Sequence, residues 1–379
     1  MLEQKINETF GDKDPTGFGT GWWSGVLSMF CGVLAIGAVA CLHFPQLLSS
    51  PNLRPYYPMV LIRMLIQAVI VAAIIFGVVS AILRKKKLLG LTGMLLALAA
   101  TLWGGASVPI NGPLQSGPSI GLDWFLLDML LMTLIFTPFE VLWPAYPKQG
   151  VFRNEWLLDV VYFLSTHLPT QVTTFLVLLP ATQLTTVFAV PSLQQAVGRL
   201  PLLVQFFLAI LVADLAEYVI HRAQHGVPWL WRFHAIHHSS KGLDWIAGSR
   251  AHIVDDLVVR GFILIPMMFA FSHNMIVAYL LFVTLHATWT HSNFGPSIKW
   301  LEPYLIFPRF HHWHHTSQEE AIDKNFAIHF PWIDKIFGTY YYPEGKWPDT
   351  YGLHCEKIPG TFWGQTFYPF TRTKAPGVG

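Results

Sequence analysis

Residues 202–240 read LLVQFFLAILVADLAEYVIHRAQHGVPWLWRFHAIHHSS, and the change of character along this stretch decides the architecture. A helix that crosses a bilayer needs about 20 largely apolar residues, which Leu202–His221 supplies. The run ends in His221 and His225, four residues apart and so on one helix face. His234, His237 and His238 follow as H-x-x-H-H. Asp214 and Glu217 precede His221 by seven and four residues on the same face. An ionisable group inside a spanning segment points to function. The expected work of this pair is to orient ligand N–H groups; the bland alternative is a buried hydrogen bond, or an ion pair with Arg222 or Arg260.

The rest of the chain fits a membrane setting. Of 379 residues, 53% are hydrophobic and 12% charged, where a soluble domain carries about 25% charge; mean hydropathy is +0.44. A net charge of +2 with no basic block gives no reason to expect nucleic acid. Cys31, Cys41 and Cys355 have no spacing that suggests disulfides or a thiolate metal site. The polar N-terminus lacks the pattern of a cleaved signal peptide. The glycines Gly17, Gly19 and Gly21 have no strand-to-helix context and make a poor nucleotide loop.

The expected fold is all-α, a multi-pass membrane bundle. Spans are expected at Trp22–His43, Met59–Leu83, Leu88–Gly104, Leu122–Trp143, Leu157–Phe188 and Leu202–His221. Leu257–Trp289 reads as a hairpin turning at Ser272-His273-Asn274, for about eight crossings in all. Arg84-Lys85-Lys86-Lys87 is the strongest basic cluster and marks a cytoplasmic end. Alternation then places the N-terminus and a histidine-rich cap on the cytoplasmic side of a bacterial inner membrane or the endoplasmic reticulum. Lys148, Arg153, Lys241, Arg250 and Arg260 fall on that side too. The expected organisation is an N-terminal membrane module of about four helices over 1–150, a catalytic domain over 151–345 and a tail over 346–379.

Thirteen of the seventeen histidines lie between His221 and His315, far more than even spacing would put there. The second H-x-x-H-H is His311, His314 and His315. Arg309-Phe310-His311-His312-Trp313-His314-His315-Thr316-Ser317 parallels Arg232-Phe233-His234-Ala235-Ile236-His237-His238-Ser239-Ser240. Helical positions i, i+3 and i+4 share a face, so each motif is expected to aim three imidazoles at one metal. His291 adds a ninth candidate. His286 lies five residues earlier, roughly 140° around the helix, and joins only through a local distortion. His43, His167, His273 and His354 are expected to be structural; for His252 and His312 a supporting or substrate-contacting role is the alternative.

Imidazole suits zinc, copper, iron and nickel, and a closed zinc site uses four ligands. Nine histidines exceed one closed site and fit two open ones. Two redox-active metals with open positions fit O₂ activation, which zinc cannot support.

The run Glu217…His221…His225…Leu230-Trp231-Arg232-Phe233-His234…His238-Ser239, with His291-Ser292-Asn293 and His311…His315, resembles the fatty acid hydroxylase/sterol desaturase superfamily. Ile322-Asp323-Lys324-Asn325-Phe326 and Trp332–Thr339 are especially similar to its alkylglycerol monooxygenase branch, although Gly226 and Asn293 stand where that branch has acidic residues. The resemblance covers roughly residues 150–345. It implies a di-iron enzyme with O₂ as cosubstrate, two electrons from a separate donor protein or reductant, and a lipid substrate from the bilayer. It implies the same nine histidines as ligands, and hydroxylation or desaturation as the outcome. A metal transporter would instead string ionisable ligands across the membrane depth.

Overall fold

A computed structural model describes residues 19–371 except 52–53, 110–118, 189 and 355; Cys355 and Gly17 therefore lie outside the described residues. The chain is helical, with no strand among the described residues, and divides into two compact units, Met1–Leu130 and Leu131–Gly379.

The first unit contains α1 (Trp22–His43), α2 (Met59–Leu83) and α3 (Leu88–Leu102), and α4 (Leu122–Leu142) begins in it. These helices approach closely because small residues line their contacts, as is usual where lipid supplies no hydrophobic drive. A Cβ added to Gly93 would lie 2.3 Å from the Ser28 carbonyl carbon, and one on Gly32 2.7 Å from the Gly93 oxygen. The Ser28 hydroxyl donates across the packing to Ala73 O at 2.7 Å.

The second unit contains α5 (Trp156–His167), α6 (Thr170–Val187), α7 (Leu202–Gly226), α8 (Pro228–His234), α9 (Ile253–Ala270), α10 (His273–His291), α11 (Pro308–His314) and α12 (Pro331–Phe337). Its core joins Ala209 and Ala213 of α7 to Leu264 and Met267 of α9 and Ile276 and Tyr279 of α10. Helices α9 and α10 form the expected hairpin and turn at Phe271–Ser272. The segments 227–252 and 292–345 gather at the histidine-bearing ends of α7 and α10.

Among the described residues, five helices are long and apolar enough to cross a membrane: α1, α2, α3 with its following turn, α4 and α7. This is an integral membrane architecture. A sixth candidate is Val172–Val187 with Pro191–Gly198, bent by 107°. The single span expected at Leu157–Phe188 is two helices, broken where Pro169 has no N–H to continue the ladder. The hairpin helices, counted among the eight expected crossings, are not among the five. Asp255, Asp256 and Arg260 charge the first turns of α9, and α10 carries His273, Asn274, His286 and His291.

Candidate metal centre

The histidines form two groups. One ring nitrogen from each of His221, His225, His234, His238 and His314 lies within 4.8 Å of the others, and His237, His291, His311 and His315 form a second such set. The structure brings all nine together, but not motif by motif. Each H-x-x-H-H is divided: His234 and His238 join the first group and His237 the second, while His311 and His315 join the second and His314 the first. The reason is local. Residues four apart stay on one face. In the first motif the i+3 histidine diverges because α8 ends at His234 and a 3₁₀ turn carries His237–Ser239. In the second, with His311 and His314 both in α11, the roughly 100° between successive helical positions parts i+3 from i+4. Pro228 and Pro308 at the first positions of α8 and α11 start these short helices.

The distances are those of a ligand shell. Nε2–Nε2 separations are 3.1 Å for His221–His234 and 3.2 Å for both His225–His238 and His234–His238. In the second group they are 3.2 Å for His237–His291, 3.0 Å for His291–His311 and 3.1 Å for His311–His315. Two nitrogens bound at right angles, each about 2.1 Å from one metal, lie about 3.0 Å apart.

The opposite ring nitrogens settle the tautomers. His221 Nδ1 faces Phe326 O at 2.8 Å, His225 Nδ1 faces Asp323 at 3.0 Å, and His234 Nδ1 faces Asp255 at 3.1 Å. His237 Nδ1 faces Arg250 O at 3.0 Å, His291 Nδ1 faces Ala287 O at 2.7 Å, and His314 Nδ1 faces Lys324 O at 2.8 Å. Carbonyl and carboxylate oxygens only accept, so these six Nδ1 atoms donate and their Nε2 atoms present lone pairs. Lone pairs opposed at such distances repel unless a cation lies among them. His314 Nε2 is buried with no hydrogen-bond partner at all. The donor set therefore fits metal ions.

Burial first, and then the neighbouring imidazoles, hold His237, His238, His311 and His315 well below the ordinary histidine pKa. Burial pushes His314 down to about 3. These rings are neutral at physiological pH, the form that ligates.

A buried ion network fixes the loop that carries the His237 acceptor. Arg250 Nε bonds Asp159 at 2.5 Å and its Nη1 bonds Glu155 at 3.1 Å. Arg153 bonds Asp159 and, at 2.8 Å, Asp244. Gly248 lets the same loop close on the second group, since a Cβ there would lie 3.0 Å from the His291 ring.

Asp214 requires a correction. It does not orient a histidine. Its carboxylate accepts from the backbone N–H groups of Ile328, His329 and Phe330 at 2.8, 3.2 and 2.7 Å. Being two helical turns before His221, it meets the chain beyond Phe326, whose carbonyl is the acceptor for His221. Glu217 forms no hydrogen bond with any of the nine histidines either; its Oε2 is buried without a partner, and the residue lines a cavity described below. His286 stays outside both groups, with Nε2 on Ile306 O at 3.1 Å and Nδ1 facing His329 Nδ1 at 3.0 Å. His312 faces Tyr351 OH and Ser292 O, and His252 caps α9 through Val254 N.

Sequence reasoning missed Asp255, Asp323 and the buried His329. The available signal for Asp323 lay in the segment Ile322–Phe326. Asp323 and Asn325 both have left-handed backbones, φ 56° and 62°, a conformation that Asp and Asn tolerate better than most residues. The resulting bends aim the Asp323 carboxylate and the carbonyls of Lys324 and Phe326 at three histidines of the first group.

A cavity of about 240 Å³ lies between α7, α9 and α10 and reaches His291. Ile263, Leu264, Leu280, Val283 and Ala287 make its apolar wall, and Glu217, Asp256, Arg260 and Tyr279 are among its polar positions.

Comparison with known proteins adds a likeness over part of the chain. Residues 206–339 match the fatty acid hydroxylase family. That segment contains every histidine of both groups. Similar proteins include an ornithine lipid hydroxylase of Rhizobium tropici, 28% identical over 173 residues (45% of this chain, 52% of that protein). An alkylglycerol monooxygenase of Xenopus tropicalis is 29% identical over 177 residues (42% and 38%). A Dictyostelium discoideum protein provisionally assigned as a methylsterol monooxygenase is 26% identical over 204 residues (51% and 72%). The superfamily resemblance, including the alkylglycerol monooxygenase branch, is thus what the comparisons return. The chain spans about half or less of the length of the first two relatives. No solved structure matches at comparable significance.

Proposed function

We propose that this protein is a membrane-bound di-iron oxygenase that hydroxylates a C–H bond in a lipid, using O₂ and two electrons from a separate donor. The observation that carries the reading is the convergence of ring nitrogens in two adjacent sets, with six of the nine rings fixed from behind by an acceptor. His221, His225, His234, His238 and His314 would hold one iron, and His237, His291, His311 and His315 the other. Bound there, the pair of irons would supply the redox chemistry that O₂-dependent oxidation of an unactivated C–H bond requires.

The protein's own residues do the rest. Asp255, Asp323 and the carbonyls of Phe326, Arg250, Lys324 and Ala287 hold the ring protons at Nδ1 and keep the Nε2 atoms aimed inward. The cavity ending at His291 receives an acyl or alkyl chain along Ile263, Leu264 and Val283 and excludes water from that wall. The hydroxylase and monooxygenase relatives support a lipid as the substrate. The catalytic region in this reading is 151–345.

Purified protein made with iron available should contain close to two iron ions per chain by elemental analysis. Lipids from cells expressing it under ¹⁸O₂ should include a species with one labelled hydroxyl that a His237→Ala strain lacks. One zinc per chain would sink the di-iron reading. A product short of two hydrogens and carrying no ¹⁸O would assign desaturation instead.

A further inference from the structure

The first unit has a site of its own, on residues that the proposed chemistry does not use. A cavity of about 80 Å³ opens between α1, α2 and α4, where one ordered water needs about 10–15 Å³. Leu34 and Ala38 of α1, Ile62 and Ile66 of α2, and Leu126 and Leu130 of α4 line its apolar length. Arg54, Tyr57 and Asp123 line it as well. Arg54 and Asp123 are only 8% and 9% exposed.

Each of these three polar groups is partly spent and partly free. Arg54 Nη1 donates to Ser49 Oγ at 2.9 Å, and Nη2 has no partner. Asp123 Oδ1 accepts from Ser50 N and Trp124 N, both at 2.8 Å, and Oδ2 has none. Tyr57 OH lies within hydrogen-bonding reach of the Asp123 carboxylate, but the two do not form a well-shaped bond. Buried polar atoms are nearly always satisfied, and leaving one bare costs about 1–3 kcal/mol. The bare Arg54 Nη2, beside the poorly bonded Tyr57–Asp123 pair on one largely apolar cavity, has the form of a ligand site.

We propose that this unit binds a neutral, hydroxyl-headed, single-chain amphiphile of the long-chain alcohol or monoacylglycerol class. A hydroxyl both accepts, from Arg54 Nη2 or Tyr57 OH, and donates, to Asp123 Oδ2. The Arg54 and Asp123 charges offset one another, so a carboxylate head would add an uncompensated buried charge, which is costly. A bare alkane would leave Arg54 Nη2 without an acceptor. The chain lies along Leu34, Ile66 and Leu126.

The test uses the purified full-length protein in phosphatidylcholine nanodiscs and a photoreactive hexadecan-1-ol carrying a mid-chain diazirine. Cross-links mapped by peptide mass spectrometry should fall on α1, α2 and the first half of α4. Hexadecanol and 1-monopalmitoylglycerol should compete for these at concentrations where palmitate and hexadecane do not. Ala38→Phe, which fills the apolar part, should cut this labelling about tenfold or more. Asp123→Asn keeps Oδ1 for Ser50 and Trp124 but replaces the free acceptor with a donor, and should weaken competition by hexadecanol about fivefold. This second variant preserves volume and carries the test if Ala38→Phe does not fold. Equal competition by palmitate or hexadecane, or labelling that neither variant changes, would overturn the proposal. None of these outcomes bears on the histidine site.

Discussion

In the proposed iron site, six of the nine imidazoles have an acceptor at the outer nitrogen, and there it decides how firmly the inner one is aimed. His234 rests on Asp255, whose side chain is 7% exposed, while His225 rests on Asp323, whose side chain is 58% exposed. Water can replace an acceptor at 323 but not at 255. Asp255→Ala should therefore lower iron retention against a chelator by about 10–100-fold, with a clearly smaller loss for Asp323→Ala; equal losses would contradict the burial argument. Asp214→Ala should act through stability instead. It strands three backbone N–H groups, each costing about 1–3 kcal/mol when buried and unpaired. The expected result is a lowered thermal unfolding midpoint, with iron content per folded chain unchanged. Eight of the nine histidines could be found in the sequence because helical spacing announces them, and His291 by its place at the end of an apolar run. Their supports could not: Asp255 and Asp323 lie 21 and 98 residues from the rings they hold, and three-dimensional proximity at that separation leaves no periodic trace.

Between secondary-structure elements, the division of each H-x-x-H-H across the two sets has a consequence that motif reading alone reverses. If each motif served one metal, replacing His237 or His314 would deplete different motifs equally. In this structure His237 leaves the second set with three ligands, and His314 leaves the first with four. Under the di-iron proposal, His237→Ala should bring iron from two to about one per chain. His314→Ala should retain more iron, although both variants lose activity. Elemental analysis of the two proteins side by side checks this, and identical iron losses would favour one metal per motif. Apolar length located α1, α2, α4 and α7 in the sequence, because a bilayer imposes a minimum run. What it could not locate was the glycine packing of the first unit. There Gly93→Leu should destabilise the α1–α3 contact severely, since the added Cβ would meet Ser28 backbone, which cannot move aside as a side chain could.

The side of the membrane on which the histidines lie depends on one bent segment. With the end of α2 at Arg84–Lys87 held cytoplasmic, α3 leads out and α4 leads back in. If Val172–Val187 with Pro191–Gly198 crosses, α7 starts outside and delivers His221 and His225 to the cytoplasm; if it is re-entrant, the same helix delivers them outside. Two basic residues used in the sequence argument lose their weight here. Arg153 and Arg250 are buried in ion pairs with Asp244, Asp159 and Glu155, so they report packing and not topology. Lys148 and Lys241 remain exposed and still favour a cytoplasmic histidine face, where a soluble donor could deliver electrons. Helix α10 has 19 residues, about 28 Å at 1.5 Å per residue, which sets the Ser272 tip a bilayer core away from His291. Ser272 and Lys241 are both exposed, so single cysteines at these positions, in a background lacking Cys31, Cys41 and Cys355, report opposite ends of this unit. A membrane-impermeant thiol reagent applied to intact cells should label position 272 and spare 241, with activity confirmed for each variant. Labelling at 241 alone would show that the bent pair does not cross, and would move electron delivery to the other side of the membrane.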